Sequence, residues 1–181
     1  MGRIRFYFAA SLDGYIADAN GNVGFLDAFG HDAGAYDAFF SGIGTLVMGR
    51  ETYKFVEDYG SWPYGNARKI VVLTHRPIEH PLCDLQTRVV DDVSAFAREL
   101  RALPEGDTWI VGGGKVMGAF LAAGEVDVIE MAVVPVAIGG GIPMYAGCGT
   151  TAHRFDLLEL SRRPNGIVRS VYERTVSELS N

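Results

Sequence analysis

Trp109-Ile110-Val111-Gly112-Gly113-Gly114-Lys115-Val116-Met117-Gly118-Ala119-Phe120-Leu121 carries a short apolar run into three glycines and then into a helix-like pattern. The stretch reads as a strand, a bare turn and a helix start. Glycine has no Cβ and tolerates positive φ, so three in succession let a ligand approach the backbone closely, at a helix end whose N–H groups lack partners. Such an end suits a phosphate. A dinucleotide-binding G-x-G-x-x-G needs glycine where Met117 stands, and a P-loop needs Ser or Thr where Val116 stands. Neither template fits, and a plain strand-to-helix turn is the competing reading.

With 181 residues, the chain 1–181 is expected to form a single domain with room for a sizeable core. Hydrophobic residues make up 48% and charged ones 21%, as in ordinary globular proteins. The net charge of −6 repels polyanions, so neither nucleic acid nor an acidic membrane is an expected partner, and any bound phosphate must be held by local geometry. No stretch approaches the roughly 20 apolar residues of a membrane helix. Cys83 and Cys148 have no metal-binding spacing and read as reduced thiols of a cytoplasmic protein. The four histidines form no ligand pair on one helix face, so no metal site is predicted.

Outward from the glycines, further strand ends carry similar features. Ile4–Ala10 is rich in β-formers and reads as a central strand, followed by a long loop over residues 11–26 that contains Asp13-Gly14 and Asn20-Gly21. Asp13 is either a turn residue or a functional carboxylate. Asp32 caps an expected helix running to Ser41, with Tyr36, Phe39 and Phe40 on one face. Thr45–Met48 forms a buried strand ending in Gly49-Arg50-Glu51-Thr52, where backbone donors, a cation and a hydroxyl meet at a second helix start. Residues 59–69 form a loop, and Lys69–Leu73 a third strand that ends in Thr74-His75-Arg76. Arg76 has the planar, multiply donating geometry that suits a phosphate dianion.

Asp91 or Asp92 caps a scaffold helix through Val93, Phe96 and Leu100. In the strand expected over Val126–Val134, alternation puts Glu130 in a row with Val126, Val128, Ala132 and Val134. A carboxylate in an apolar row is either paired or shifted toward proton transfer. Residues 135–143 form a second glycine-rich loop, and Arg163-Pro164-Asn165-Gly166 marks a hairpin between Phe155–Leu160 and Ile167–Val176. Strands alternating with helices imply a mostly parallel sheet closed by an antiparallel hairpin, with ligands at the strands' carboxyl ends. Segments 11–26, 49–53, 74–76, 112–115 and 135–143 all fall at predicted strand ends.

The ordered set Ala9-Ala10-Ser11-Leu12-Asp13-Gly14-Tyr15-Ile16-Ala17, Val47-Met48-Gly49-Arg50-Glu51-Thr52-Tyr53, Leu73-Thr74, Val111-Gly112-Gly113-Gly114-Lys115 and Gly141-Ile142-Pro143 resembles the dihydrofolate reductase superfamily. It is most similar to the branch containing the reductase domain of the bacterial riboflavin-biosynthesis deaminase/reductase. The resemblance implies a three-layer α/β/α fold, a cytoplasmic homodimer, and an NADPH-dependent reductase acting on a small heterocyclic substrate. The activity it most resembles is 5-amino-6-(5-phosphoribosylamino)uracil reductase, with true dihydrofolate reductase or a non-catalytic NADPH-binding dimer as alternatives. It also implies that Gly49, Arg50, Thr52, Gly113, Gly114, Lys115 and Val116 bind the NADPH pyrophosphate. Thr74 and Arg76 would meet the 2′-phosphate, and Ala9, Ala10, Ile16 and Gly112 would line the nicotinamide. Dihydrofolate reductases anchor their substrate with an acidic residue on the first helix, where Asp37 is the available carboxylate. Glu130, then Asp13, or Asp37, or a bound water that one of them orients, is the expected proton donor.

Overall fold

The computed structural model describes residues 1–30, 33–65 and 69–175. Among the described residues are the strands β1 Ile4–Ala10, β2 Tyr15–Ala17, β3 Ile43–Gly49, β4 Lys69–Leu73, β5 Gln86–Arg88, β6 Asp107–Gly112, β7 Val128–Val133, β8 Ile142–Pro143, β9 Phe155–Arg162 and β10 Val168–Arg174. The α-helices α1 Ala33–Ser41, α2 Arg50–Asp58, α3 Val93–Arg101 and α4 Gly114–Ala122 accompany them among the described residues. The main sheet has the order β5-β4-β3-β6-β1-β7-β10-β9, and β2 and β8 form a small separate ladder. Strands β5, β4, β3, β6, β1 and β7 run parallel, while β10 is antiparallel to both β7 and β9. This is the α/β architecture expected from strand–helix alternation followed by a hairpin.

The layers follow from side-chain alternation in the central strands. Ile4, Phe6, Val47 and Ile110 face α3 and α4, where they pack with Phe96, Leu100, Met117 and Phe120. Leu46, Met48 and Trp109 face the opposite way, against Phe39 of α1 and Tyr53 of α2. Each large side chain so buried contributes roughly 1.5–3 kcal/mol. Tyr36, Phe39 and Phe40 therefore belong to the packing layer: Phe39 stacks on Tyr7 at 4.2 Å and meets the Trp109 edge at 5.3 Å. Among the described residues, no helix is long and apolar enough to cross a membrane.

Several boundaries differ from the sequence reading. β3 begins at Ile43 because the chain there lies against the turn before β6: the Asp107 amide donates to the Gly42 carbonyl at 2.9 Å, and a Cβ on Gly44 would sit 1.6 Å from the Glu105 carbonyl oxygen. The expected loop over residues 11–26 contains β2 and leads into a 3-10 turn, Gly24–Phe29. Strand β5 had too little apolar alternation to be foreseen. Asp92, rather than Asp91, caps α3 by accepting from the Ala95 amide at 2.9 Å. The expected cap Asp32, residues 66–68 of the expected loop, and Val176 at the expected end of the last strand lie outside the described residues.

Candidate active site

The glycine turns after β3 and β6 lie side by side because these strands are parallel neighbours with Met48 opposite Gly112. A Cβ built on Gly49 would come within 3.1 Å of Val116 Cγ2 and 3.9 Å of the Gly113 amide nitrogen. A Cβ on Gly113 would meet Thr52 Oγ1 at 3.3 Å. Each turn opens a nine-residue helix, α2 capped by Gly49 and α4 by Gly113, and neither has a side-chain acceptor at its first amides. Helix α3, on scaffold duty, has its Asp92 cap. Two bare helix N-termini thus converge on one groove, with donors and positive dipole ends toward it. The Gly112–Gly113 peptide is cis.

The cations beside this groove differ in availability. Lys115 is exposed at the first turn of α4. Arg50 is drawn back along α2, bonded to Glu57 at 2.8 Å with its guanidinium 5.6 Å from the Tyr53 ring centre. On the next strand Leu73 pairs with Gly49, which brings Thr74 and Arg76 to the same rim. Thr74 Oγ1 accepts from the Arg76 amide at 3.0 Å, fixing the turn and leaving the Arg76 side chain exposed.

The third wall is a pair of stitched loops. Asp13 accepts from Ser11 Oγ at 2.6 Å, from the Ile138 amide at 3.2 Å and from the Gly139 amide at 2.7 Å. Leu12 donates its amide to Val136 at 2.7 Å, and Tyr15 and Ala17 of β2 pair with β8 around Ile16. Strand β8 is wedged in place: a Cβ on Gly141 would lie 2.1 Å from the Ala17 carbonyl oxygen, and one on Gly114 the same distance from that of Pro143. The Ser11 hydroxyl, followed by the two backbone amides, holds the Asp13 carboxyl below the usual carboxylate range. Such a group is an acceptor that ties the loops together.

Beyond the α1 layer, the 24–30 segment covers the sheet face over β1, β7 and β10. Asn165 Nδ2 donates to the Phe29 carbonyl at 2.8 Å and closes the rim. Beneath lies a cavity of about 440 Å³, whose lining includes Tyr7, Ala9, Leu26, Phe29, Glu130 and Arg169. Ala9 belongs both to this cavity and to the expected nicotinamide wall. Ala10, next to it, is fully buried.

Glu130 is buried at the cavity and paired, which decides between its two sequence readings. Its Oε1 accepts from Arg169 Nε at 2.8 Å and faces Nη2 at 2.7 Å, and its Oε2 faces Arg5 Nη2 at 3.6 Å. A carboxylate so occupied anchors guanidinium groups. Asp37 is exposed on α1 and does not line the cavity, so the expected carboxylate anchor is absent from this wall. The sequence reading missed Tyr7, Arg5 and Arg169. Arg5, Tyr7 and Ala9 alternate along β1 on the face that carries Glu130, so an arginine on that face was the available signal of an ion pair. Among the described residues, no group of three or more His, Cys, Asp and Glu side chains could hold a metal ion.

Comparison with known proteins fits this geometry. The model of the RibD C-terminal domain matches residues 3–169. The chain is 30% identical to protein YwjB of Bacillus subtilis over 141 residues, 77% of this chain and 80% of that protein. A crystal structure of a candidate riboflavin biosynthesis protein from Shewanella sp. PV-4 superimposes with a TM-score of 0.81 at 25% identity, over 97% of this chain and 99% of that one. The Thermotoga maritima diaminohydroxyphosphoribosylaminopyrimidine deaminase/5-amino-6-(5-phosphoribosylamino)uracil reductase gives 0.71 at 15% identity, over 96% of this chain and 57% of that one. Dihydrofolate reductase from Enterococcus faecalis, complexed with NADP(H), gives 0.62 at 19% identity, with 96% of each chain covered. The fold is dihydrofolate reductase-like.

Proposed function

The chain belongs to the RibD C-terminal domain family, and on that premise we propose that it is an NADPH-dependent reductase of a small heterocycle. The reaction closest to the proposal is reduction of the 5-amino-6-(5-phosphoribosylamino)uracil type. The observation that carries it is the convergence of two uncapped helix N-termini, at Gly49 and Gly113, beside a cavity floored by Ala9. A pyrophosphate would lie against the amides that open α2 and α4, with Thr52 and Lys115 at its sides. Thr74 and Arg76 would face a 2′-phosphate from the neighbouring strand end. Arg50 would contribute only after leaving Glu57.

When bound, the dihydronicotinamide supplies a hydride to a C=N or C=O carbon; the protein supplies orientation and a dry site. Ala9 leaves room where ring and substrate meet. Asp13 keeps the 11–14 and 135–141 loops closed together, and the Glu130–Arg169 pair sets the polar end of the substrate cavity. The exposure of Asp37 favours this reading over dihydrofolate reduction, which would want a buried carboxylate on α1.

The test is titration of NADPH and NADH by fluorescence, followed by a panel of pyrimidines, pterins and cyclic imines scored for NADPH oxidation. Tighter binding of NADPH, with the difference lost in Arg76→Ala, is the expected result. Equal affinity for the two cofactors removes the role given to Arg76, and binding without turnover of any compound leaves the non-catalytic alternative.

A homodimer joined along β9 is part of the same proposal. This edge strand exposes Leu157, Leu158 and Leu160, each to more than half of its full accessibility. An unpaired edge carrying leucines is a surface that proteins normally cover.

A further inference from the structure

In the cavity, the hydroxyl of a packed tyrosine is unspent among the described residues. Tyr7 lies on β1 two residues before Ala9, and both line the cavity. Its ring is fixed on three sides, stacked on Phe39 at 4.2 Å and edge-on to Trp109 at 6.0 Å and Tyr36 at 6.2 Å. Its backbone carbonyl accepts from Trp109 Nε1 at 3.2 Å, which also fixes the strand. The hydroxyl, by contrast, makes no hydrogen bond among the described residues, although it feels the charges of Glu130, Arg169 and Arg163, all lining the same cavity. A half-buried phenol with a locked ring and an unused O–H is suited to a ligand acceptor.

The carboxylates do not compete for this task. Asp13 is consumed by the loop amides, Asp37 is exposed on α1, Asp27 lines the cavity but is exposed on the Gly24–Phe29 turn, and Glu130 is clasped by Arg169. We propose that Tyr7 is the proton donor of the reduction, its hydroxyl first hydrogen-bonding and then protonating the heteroatom of the substrate's C=N or C=O group. The proposal rests on the reductase reading. As the carbon accepts hydride from the dihydronicotinamide, which is oxidised, the π electrons move to the nitrogen or oxygen. That atom takes the Tyr7 proton: the phenolic O–H bond breaks and a new N–H or O–H bond forms. The phenolate left behind lies in the field of Arg169 and Arg163, and a solvent proton restores the phenol.

The surroundings suit a donor that must stay protonated until the step occurs. Burial, followed by the charge of Glu130 on β7, pushes the Tyr7 hydroxyl above the ordinary phenol range; Arg169 on β10 and Arg163 in the hairpin turn oppose this, and Tyr36 on α1 adds slightly to it. A phenol is a weak acid in water, yet the anion formed by hydride addition is far more basic.

The test compares wild type with Tyr7→Phe, which keeps the ring and its stacking. The expected result is unchanged NADPH affinity with kcat reduced about 100-fold or more. Without cofactor, the affinity for 5-aminouracil, a ring with carbonyl acceptors, is expected to fall roughly 3–10-fold by thermal shift. Undiminished turnover in Tyr7→Phe overturns the proposal while leaving the reductase reading in place. Absence of turnover by the wild type, with every panel compound, overturns both. Should Tyr7→Phe fail to fold, trifluorotyrosine placed at position 7 by codon suppression supplies the second measurement. Its more acidic phenol is expected to move the alkaline limb of the kcat profile to lower pH, and an unmoved limb overturns the proposal.

Discussion

Arg169 clasps Glu130 with two nitrogens of one guanidinium, Nε at 2.8 Å and Nη2 at 2.7 Å from the same carboxylate oxygen. Glu130 side-chain exposure is 5% and that of Arg169 is 21%, so removing the arginine strands a charge out of water, whereas exchanging the carboxylate for an amide does not. Breaking a buried pair from one side costs about 3–5 kcal/mol. Arg169→Ala is expected near the lower end, about 3 kcal/mol, because Arg5 still faces Oε2. At this chain length that is a fall in Tm of roughly 6–12 °C by calorimetry. Glu130→Gln should lose less than half as much, since Glu159 still pairs with Arg169. Equal losses in the two variants would show that burial of the carboxylate does not govern this site.

Asp13 predicts an acid-sensitive stitch. Its folded pKa is lowered, chiefly by the Ser11 hydroxyl and then by the Gly139 and Ile138 amides. A depressed carboxyl contributes stability that is fully present above its unfolded value of about 3.9 and disappears as pH falls through the lower folded value. Asp13→Asn should therefore be less stable than wild type at pH 7, and the difference between them should shrink progressively below about pH 4. Urea midpoints measured from pH 2 to 7 check this. A gap between the two proteins that stays constant across that range removes the carboxylate from the account.

The two cofactor-side glycines should fail in different ways. On Gly114 a Cβ meets a backbone atom, the Pro143 carbonyl oxygen, at 2.1 Å, so Gly114→Ala must push β8 away from α4. Such overpacking costs typically 1–3 kcal/mol, and a backbone clash belongs at the upper end, about 3 kcal/mol. On Gly49 the nearest atom is Val116 Cγ2 at 3.1 Å, the end of a side chain, and φ there is an ordinary −78°. Gly49→Ala should thus lose under about 1 kcal/mol of stability, yet weaken NADPH about tenfold, or 1.4 kcal/mol, because its methyl projects into the groove. Urea melts and NADPH titration of both variants separate the two effects. Unchanged NADPH affinity in Gly49→Ala would place the pyrophosphate elsewhere.

What could be read from the sequence was local. Gly112 to Lys115 announced its turn through missing side chains, and the strand–helix alternation around it implied parallel strands, but β3 and β6 are neighbours across β4 and β5 in the chain, so only the family resemblance brought the two glycine turns together. The cavity was less legible because it is made across the sheet. Arg169 reaches Glu130 only because β10 returns antiparallel beside β7, and nothing in the 38 intervening residues announces that register. The same applies to Asp13, whose partners Ile138 and Gly139 lie more than a hundred positions along the chain. Asp-Gly looks alike whether its carboxylate faces solvent or a distant loop. Tyr7 passed as one more β-former in an apolar strand, since only the fold shows that its hydroxyl has no partner among the described residues.

The edge strand β9 supplies the last expectation. Leu157, Leu158 and Leu160 are 51%, 58% and 62% exposed on a strand whose outer side has no neighbour in the sheet among the described residues. Leaving an eight-residue edge with leucines open invites pairing with another chain, and a two-fold axis would join β9 to its own copy as an antiparallel pair. If β9 carries the contact, Leu158→Lys combined with Leu160→Lys should halve the mass measured by sedimentation equilibrium at micromolar concentration. Exposed substitutions away from other features usually cost within about 0.5 kcal/mol, so stability lost beyond that in the double variant would be dimer stability, and would depend on protein concentration. Because Glu159 of β9 also holds Arg169, separation of the copies should loosen the Glu130 clasp and raise KM for the heterocycle more than it lowers kcat. A wild-type protein that sediments as a monomer at all concentrations tested rules out the β9 seam.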